Sequence, residues 1–119
     1  MPIELTAELG KVFVSNEVIA ALAGSAAMEC YGLVGMSSRN QLRDGISELL
    51  RWDNLSRGVE VIWTNGKLAV HLYIVVGYGT KISEVANNVQ SRVKYALNTA
   101  AGLQVDEVNI TVQGVRVTE

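Results

Sequence analysis

The sequence has a single cysteine, Cys30, and a single histidine, His71. One cysteine cannot form an internal disulfide, so the chain is not a disulfide-stapled secreted scaffold and fits a reducing cytosol. One His and one Cys at this spacing build no metal site without carboxylates, and the sequence shows no such cluster. Long apolar runs are also missing. The longest, Leu68 to Val76, is interrupted by His71 and falls far short of the ~20 residues that span a bilayer. No N-terminal basic-then-apolar signal stands at the start. An excess of positive charge is absent too: the formal net charge is −2, with acids and bases interspersed. That argues against bulk nucleic-acid binding, which usually needs a basic face.

What remains is a chain of 119 residues, 49% hydrophobic and 18% charged. It is long enough for one packed core and too short for two ordinary ones, so residues 1–119 read as a single domain.

Ile3, Leu5, Ala7 and Leu9 alternate with Glu4, Thr6 and Glu8, a strand pattern that Gly10 breaks and Val12 and Val14 resume, as across a bulge. Ser15 or Asn16 is placed to cap a helix whose apolar stripe is Ile19, Leu22, Ala23, Ala26 and Cys30. Gly32 suits its left-handed stop, and Leu33–Met36 follows as a short strand. In the segment 37–57, Ile46, Leu49 and Leu50 fit the inner face of a short helix. Two alternating runs then flank Asn65-Gly66, the dipeptide of a type I′ turn. That turn sets Thr64 against Lys67, Trp63 against Leu68, Val61 against Val70 and Glu60 against His71. One face then carries Val59, Val61, Trp63, Leu68, Val70, Leu72 and Ile74. The other carries Ile62, Ala69, Tyr73 and Val75.

A second helix is expected from about Lys81 to Ala100, with Ile82, Val85, Val89, Val93, Ala96, Leu97 and Ala100 on its apolar side and Gly102 ending it. A last strand, Val108 to Val112, follows, with a phase shift at Gly114. The resulting order, β-α-β-β-β-α-β, is α+β: two layers, a mainly antiparallel sheet with two main helices on one face.

The stretch Val75 to Val85, "VVGYGTKISEV", is the one place that suggests chemistry. A Walker loop needs four residues between its glycines and then Lys followed by Ser or Thr. Here one residue separates Gly77 and Gly79, and Thr80 precedes Lys81. A tight strand-to-helix turn capped by Thr80 accounts for the same residues. His71, opposite Glu60 in mid-strand, has no nucleophile beside it and reads as a structural histidine. Cys30, on an apolar stripe at a helix C-terminus, reads as a buried inert thiol. "GLVG" at Gly32 to Gly35 matches the GxxG of RNA-binding KH loops in letters only, being apolar and opening a strand. No catalytic constellation, cofactor site or metal site is expected.

Four stretches resemble the alkaline-shock-protein family, the envelope stress response proteins of Gram-positive bacteria. They are "GKVFVSNEVIAALAGSAAMECYGLVGM" (Gly10 to Met36), "RGVEV" (Arg57 to Val61), "VHLYIVVGYGTKISEVANNVQSRV" (Val70 to Val93) and "AGLQVDEVNITVQGV" (Ala101 to Val115). The most specific pieces are the YG-x-x-I-x-x-V-A turn-and-helix and the closing G-L-x-V-x-x-V-N-I-x-V. The resemblance implies a non-enzymatic cytosolic protein linked to cell-envelope homeostasis. It also implies a place beneath the membrane through a membrane-anchored protein partner, and self-association in some members. An accessory or regulatory subunit of a cytosolic enzyme is the second reading, and an enzyme or nucleic-acid binder the third.

Two surfaces are candidates for contact. Ile62, Ala69, Tyr73 and Val75 lie on the back of the sheet, which in a two-layer fold faces solvent. Either they meet a partner or second copy, or the segment Ser37–Arg57 folds over them. Leu49, Leu50 and Trp52, beside Arg51 and Arg57, either touch a membrane surface or anchor protein, or form a local core under a loop. The first and last strands are expected to place Glu4, Thr6, Asn109 and Thr111 on the same back face.

Overall fold

A computed structural model describes residues 3–7, 9–38, 49–50 and 52–117, and of 3–7 and 52–53 the backbone alone. The elements are β1 (Ile3–Ala7), β2 (Gly10–Val14), α1 (Asn16–Met28), β3 (Leu33–Met36), a 3₁₀ segment (Trp52–Gly58), β4 (Val59–Thr64), β5 (Lys67–Gly77), α2 (Ile82–Ala101) and β6 (Glu107–Arg116). Three of the four strand pairings are antiparallel. The fourth, β5 with β6, is parallel, as a strand–helix–strand crossover through α2 requires. The fold is α+β, as the periodicities imply.

Strand β5 is the axis of the main sheet. β6 runs along one edge, from Ala69↔Glu107 to Gly77↔Arg116. The other edge is shared end to end: β4 takes Lys67 to Leu72 and β3 takes Ile74 to Val76. The β4–β5 register is the one the Asn65-Gly66 turn dictates, Glu60↔His71 included. Both turn residues have positive φ, 51° and 79°, the left-handed pair a type I′ turn needs.

Alternation along β5 then decides the core. Leu68, Val70, Leu72, Ile74 and Val76 are buried against both helices. α1 supplies Ile19, Ala20, Ala23, Ala26 and Ala27, and α2 supplies Val85, Val89, Val93 and Leu97. Small side chains on α1 permit close approach: a Cβ at Gly24 would stand 3.1 Å from Leu55 Cβ of the 3₁₀ segment. Ser15 caps α1, accepting from the Val18 N–H at 3.3 Å. Trp63 Nε1 donates to Asn16 Oδ1 at 3.2 Å, tying β4 to the start of α1. Gly102, at φ 67°, ends α2, and its N–H returns to the Asn98 carbonyl. Asp106 then fixes the entry to β6 twice over: its carboxylate accepts from the Leu68 N–H and its own N–H donates to the Leu68 carbonyl, both at 2.8 Å.

Several expectations need correction. β1 and β2 are two strands of a separate hairpin, Ile3↔Val14 to Ala7↔Gly10, and not one bulged strand of the main sheet. Gly10, at φ 144°, turns the chain back on itself where a bulge would only have bent it. Glu4 and Thr6 therefore lie on a different sheet from Asn109 and Thr111. α1 stops at Met28, and Gly32, at φ 90°, serves the turn into β3. Thr80 does not cap α2. Its hydroxyl turns back to the Gly77 carbonyl at 2.7 Å, and Lys81 holds the N-cap position without a side-chain bond. At the ends of the α2 stripe, Ile82 and Ala100 are exposed, since a straight helix runs past the sheet it covers. Leu49 and Leu50 are not helical, and Ile46 lies outside the described residues.

Two glycines with nearly the same φ separate strain from crowding. Gly32 and Gly79 sit at 90° and 89°, but a Cβ at Gly32 would meet Val85 Cγ2 at 2.7 Å, whereas at Gly79 nothing lies within 4 Å. Gly79→Ala is expected to cost about 1 kcal/mol from the left-handed backbone alone. Gly32→Ala is expected to cost about 1–3 kcal/mol more through overpacking. Urea unfolding of the two variants measures the difference.

Candidate interaction surface

On the back of the sheet, odd-numbered residues of β5 meet even-numbered residues of β4 and odd-numbered residues of the first half of β6. The polar groups there are joined. His71 Nε2 and Thr111 Oγ1 are 2.5 Å apart. The His71 ring stacks on Tyr73, centroids 4.7 Å apart and planes within 8°. The Tyr73 hydroxyl donates to Glu60 Oε1 at 2.6 Å. Stacked rings and a charge-assisted bond make this a cross-strand brace over β4, β5 and β6. That is a structural use of the histidine.

The brace draws Tyr73 inward, and the seven residues expected at a contact surface divide. Tyr73 and Val75 are buried, at 6% and 0% exposure, so they drop out of the exposed face. Part of their cover comes from the chain after β3. The Ser37 N–H donates to the Tyr73 carbonyl at 3.0 Å. Leu49 lies over Gly35, the register partner of Val75, where a Cβ would stand 2.9 Å from Leu49 Cδ2. Ser37 also bonds the Gln113 side chain, closing that corner of the sheet. Ile62 remains exposed and Ala69 half-exposed. Leu49 and Leu50 are half-buried, and Leu50 packs against the core near Met36 and Gly58. The side chain of Trp52 lies outside those described.

The Gly77–Lys81 turn is held by protein contacts. The Gly77 N–H donates to Gly32, the Tyr78 N–H to Arg116, and the Thr80 hydroxyl to Gly77. These bonds gather the loop before β3, the loop before α2 and the end of β6 at one pole of the molecule. Cys30 is half-buried, its thiol facing the Ala26 carbonyl at 3.9 Å. A hollow of about 580 Å³ opens at the opposite, hairpin end between Lys67, Asp106 and Glu107, but Asp106 is committed to the Leu68 N–H. Among the described residues no three His, Cys, Asp or Glu side chains gather as metal ligands.

Two exposed apolar groups escaped the sequence reading. The β1–β2 hairpin bears Leu9, Val12 and Phe13, at 102%, 49% and 64% exposure. At the pole described above, Tyr31, Tyr78, Val115 and Val117 are exposed together. The signal for the first was present: two alternating runs separated by a glycine describe a hairpin as well as a bulge. The second joins three distant stretches of chain and had no local signature.

A model of the alkaline-shock-protein family, described as having a cell envelope-related function, matches residues 4–117. The uncharacterized protein YloU of Bacillus subtilis is 58% identical over 99% of this chain and 98% of its own length. The uncharacterized protein Spy1614 of Streptococcus pyogenes is 40% identical, over 98% and 97%. A second Bacillus subtilis protein, YqhY, also uncharacterized, is 33% identical over 91% and 78%. No solved structure matches the chain.

Two measurements check the geometry. Tyr73→Phe removes the hydroxyl from a half-buried carboxylate and is expected to cost about 1–3 kcal/mol in urea unfolding. Burial raises the Cys30 thiol above its usual range; Arg92 opposes the shift and Glu29 adds to it. A raised pKa lowers the thiolate fraction at neutral pH, so iodoacetamide should alkylate Cys30 more slowly than free cysteine. Its rate should reach half of its plateau only above about pH 8.5, where a free cysteine side chain is half ionised.

Proposed function

The chain belongs to the alkaline-shock-protein family, and from that premise we propose that it is a non-enzymatic interaction protein of the cell envelope, working on the cytoplasmic side of the membrane through a membrane-anchored protein partner. The observation that carries the reading is the β1–β2 hairpin. Among the described strands it pairs only within itself, and it holds Phe13 and Leu9 out in solvent beside Val12. Apolar side chains gathered on a projecting element mark a contact surface more often than a fold requirement. Ile62 and Ala69 on the back of the sheet extend the surface available to a partner.

Anchorage through a partner agrees with the helices. No helix among the described residues is long and apolar enough to cross a membrane. The hydrogen-bonded polar groups also serve the fold: His71, Tyr73, Glu60 and Thr111 brace strands, and Asp106 fixes a turn. Side chains so engaged hold geometry, which is the work of a binding module.

Cell fractionation tests this reading. The wild-type protein is expected to sediment with native membranes. It should be released when those membranes are first treated with protease, and it should leave protein-free anionic vesicles unbound. Phe13→Lys should move it to the soluble fraction without loss of helical circular dichroism. A wild-type protein found wholly in the soluble fraction, or bound in fixed ratio to a soluble enzyme, overturns the reading in favour of an accessory subunit. Equal binding to protein-free vesicles replaces the protein anchor with lipid.

A further inference from the structure

The main sheet ends along β6 in an open edge: among the described strands β6 pairs only with β5. The core is thinly covered there. Val108, Ile110 and Val112 stand on the helix side opposite Val70, Leu72 and Ile74. Those three residues of β5 are fully buried, whereas their partners on β6 are only half-buried. On the back of the same stretch stand Glu107, Asn109 and Thr111, all polar. A row of backbone donors and acceptors therefore runs between an incompletely covered apolar row and a polar one.

α2 overhangs this edge. Gln90 Nε2 donates to the Val108 carbonyl at 2.9 Å. The bond shows that carbonyl within reach of a donor other than β5. The side-chain amide stands where the N–H of a neighbouring strand would stand. Beside it, Gln90, Ser91 and Lys94 of α2 enclose a hollow of about 200 Å³ with Val105 and Val108. Ser91, Lys94 and Val105 also line a second hollow, of about 360 Å³, that continues past the start of β6 to Tyr95 and Leu103. The two make one cleft, leading from the β6 edge along α2. Its floor, Leu103 and Val105, is apolar and buried, and its wall, Tyr95, is 64% exposed. Lys94 is the one cation lining it and has no hydrogen bond or ion pair among the described residues. The carboxylate beside it, Asp106, is committed to the Leu68 N–H.

From the continuity of edge and cleft we infer that this is a docking site for an extended, acidic segment of another protein, added to β6 as a further strand. Each part of the site fixes one property of the occupant. The edge requires a free backbone in strand conformation. The two faces require alternation, with apolar side chains beside Val108 and Ile110 and polar ones beside Asn109 and Thr111. The larger hollow takes an aromatic or branched apolar side chain where the segment passes the start of β6. Lys94 pairs with a carboxylate next to that anchor. The register shift after Val112 ends the site, since a strand of uniform alternation stays in phase only from Glu107 to Val112. On docking, Gln90 yields the Val108 carbonyl to the incoming N–H. The site shares no residue with the β1–β2 hairpin or with Ile62, so it goes beyond the envelope reading and does not rest on it.

A phage-displayed library of random linear peptides, panned on the purified protein, tests the inference. Selected peptides are expected to alternate apolar and polar residues and to carry Asp or Glu beside an aromatic or leucine. The tightest of them is then made synthetically and its binding followed by fluorescence anisotropy. N-methylation of one set of alternate backbone nitrogens should weaken it about tenfold, and of the other set little, because only one set faces β6. Lys94→Glu should weaken it about fivefold. Exchanging the peptide's acid for lysine should restore binding to K94E, which also shows that the variant folds. Phe13→Lys should leave the affinity unchanged. A library that yields no binder overturns the inference. So do peptides without alternation, indifference to N-methylation, equal binding to K94E, or loss of binding in F13K. Peptides that reproduce the stretch from Glu107 to Val112 also overturn it, making a second copy the occupant. All of this is read on purified protein, so failure here leaves the fractionation result untouched.

Discussion

β5 must be apolar on both faces for most of its length, and the rest of the molecule follows from how each face is covered. Its even residues are buried under two helices. A sheet face covered by one helix leaves apolar surface at its margins, and roughly 25 cal/mol is lost for each Å² left wet. α1 and α2 side by side remove that surface, and this sets α1 against both β4 and α2. The alanines of α1 serve the same constraint. Ala20, Ala23, Ala26 and Ala27 let the helix come close enough to share the sheet with α2.

The odd residues of β5 are harder to cover, because no helix among the described residues lies on that side. The strand solves this in two ways along its length. Toward its start, Ala69 and His71 are half-exposed, and the polar brace through Thr111, Tyr73 and Glu60 makes the face compatible with water. Toward its end, Val75 is fully buried, with Leu49 over the neighbouring Gly35 and the Ser37–Gln113 bond at the corner. Gly35 has no side chain because Leu49 occupies the space. The change from one solution to the other falls at Tyr73, whose ring stacks on the polar half and whose burial belongs to the apolar half.

What the sequence makes legible divides along the same line. The β4–β5 register is legible because a type I′ turn admits one pairing, and Asn65-Gly66 names that turn. The α2 stripe at Val85, Val89, Val93 and Leu97 is legible because helical spacing is local. The burial of Tyr73 and Val75 is one of two alternatives that the sequence allows, since alternation says which face a residue is on but not what lies above it. The β1–β2 hairpin reads as a bulged strand because a glycine between alternating runs has the same letters in a bulge and in a reversal. Only φ tells them apart. The capping role expected of Thr80 fails for a related reason: a hydroxyl near a helix start has two acceptable partners, and here the Gly77 carbonyl holds it. The Asp106 clamp on Leu68 spans 38 residues and has no local trace.

The register shift after Val112 links the core to the edge. On the inner side of β6 the shift is forced by what β5 demands: Val112 must face the helices beside Ile74, while the strand must still reach Arg116, whose carbonyl takes the Tyr78 N–H and fixes the turn into α2. One extra residue, Gln113, reconciles the two, and its side chain is spent on Ser37. The consequence appears on the outer side, where nothing in the core required it. A uniform strand presents the same alternation at both ends and accepts many registers against a neighbour. A strand whose alternation reverses part-way makes a neighbour either leave the extra residue unpaired or stop on one side of it. The irregularity that lets β6 serve both the helix layer and the α2 turn thus also restricts which strand can be added beside it.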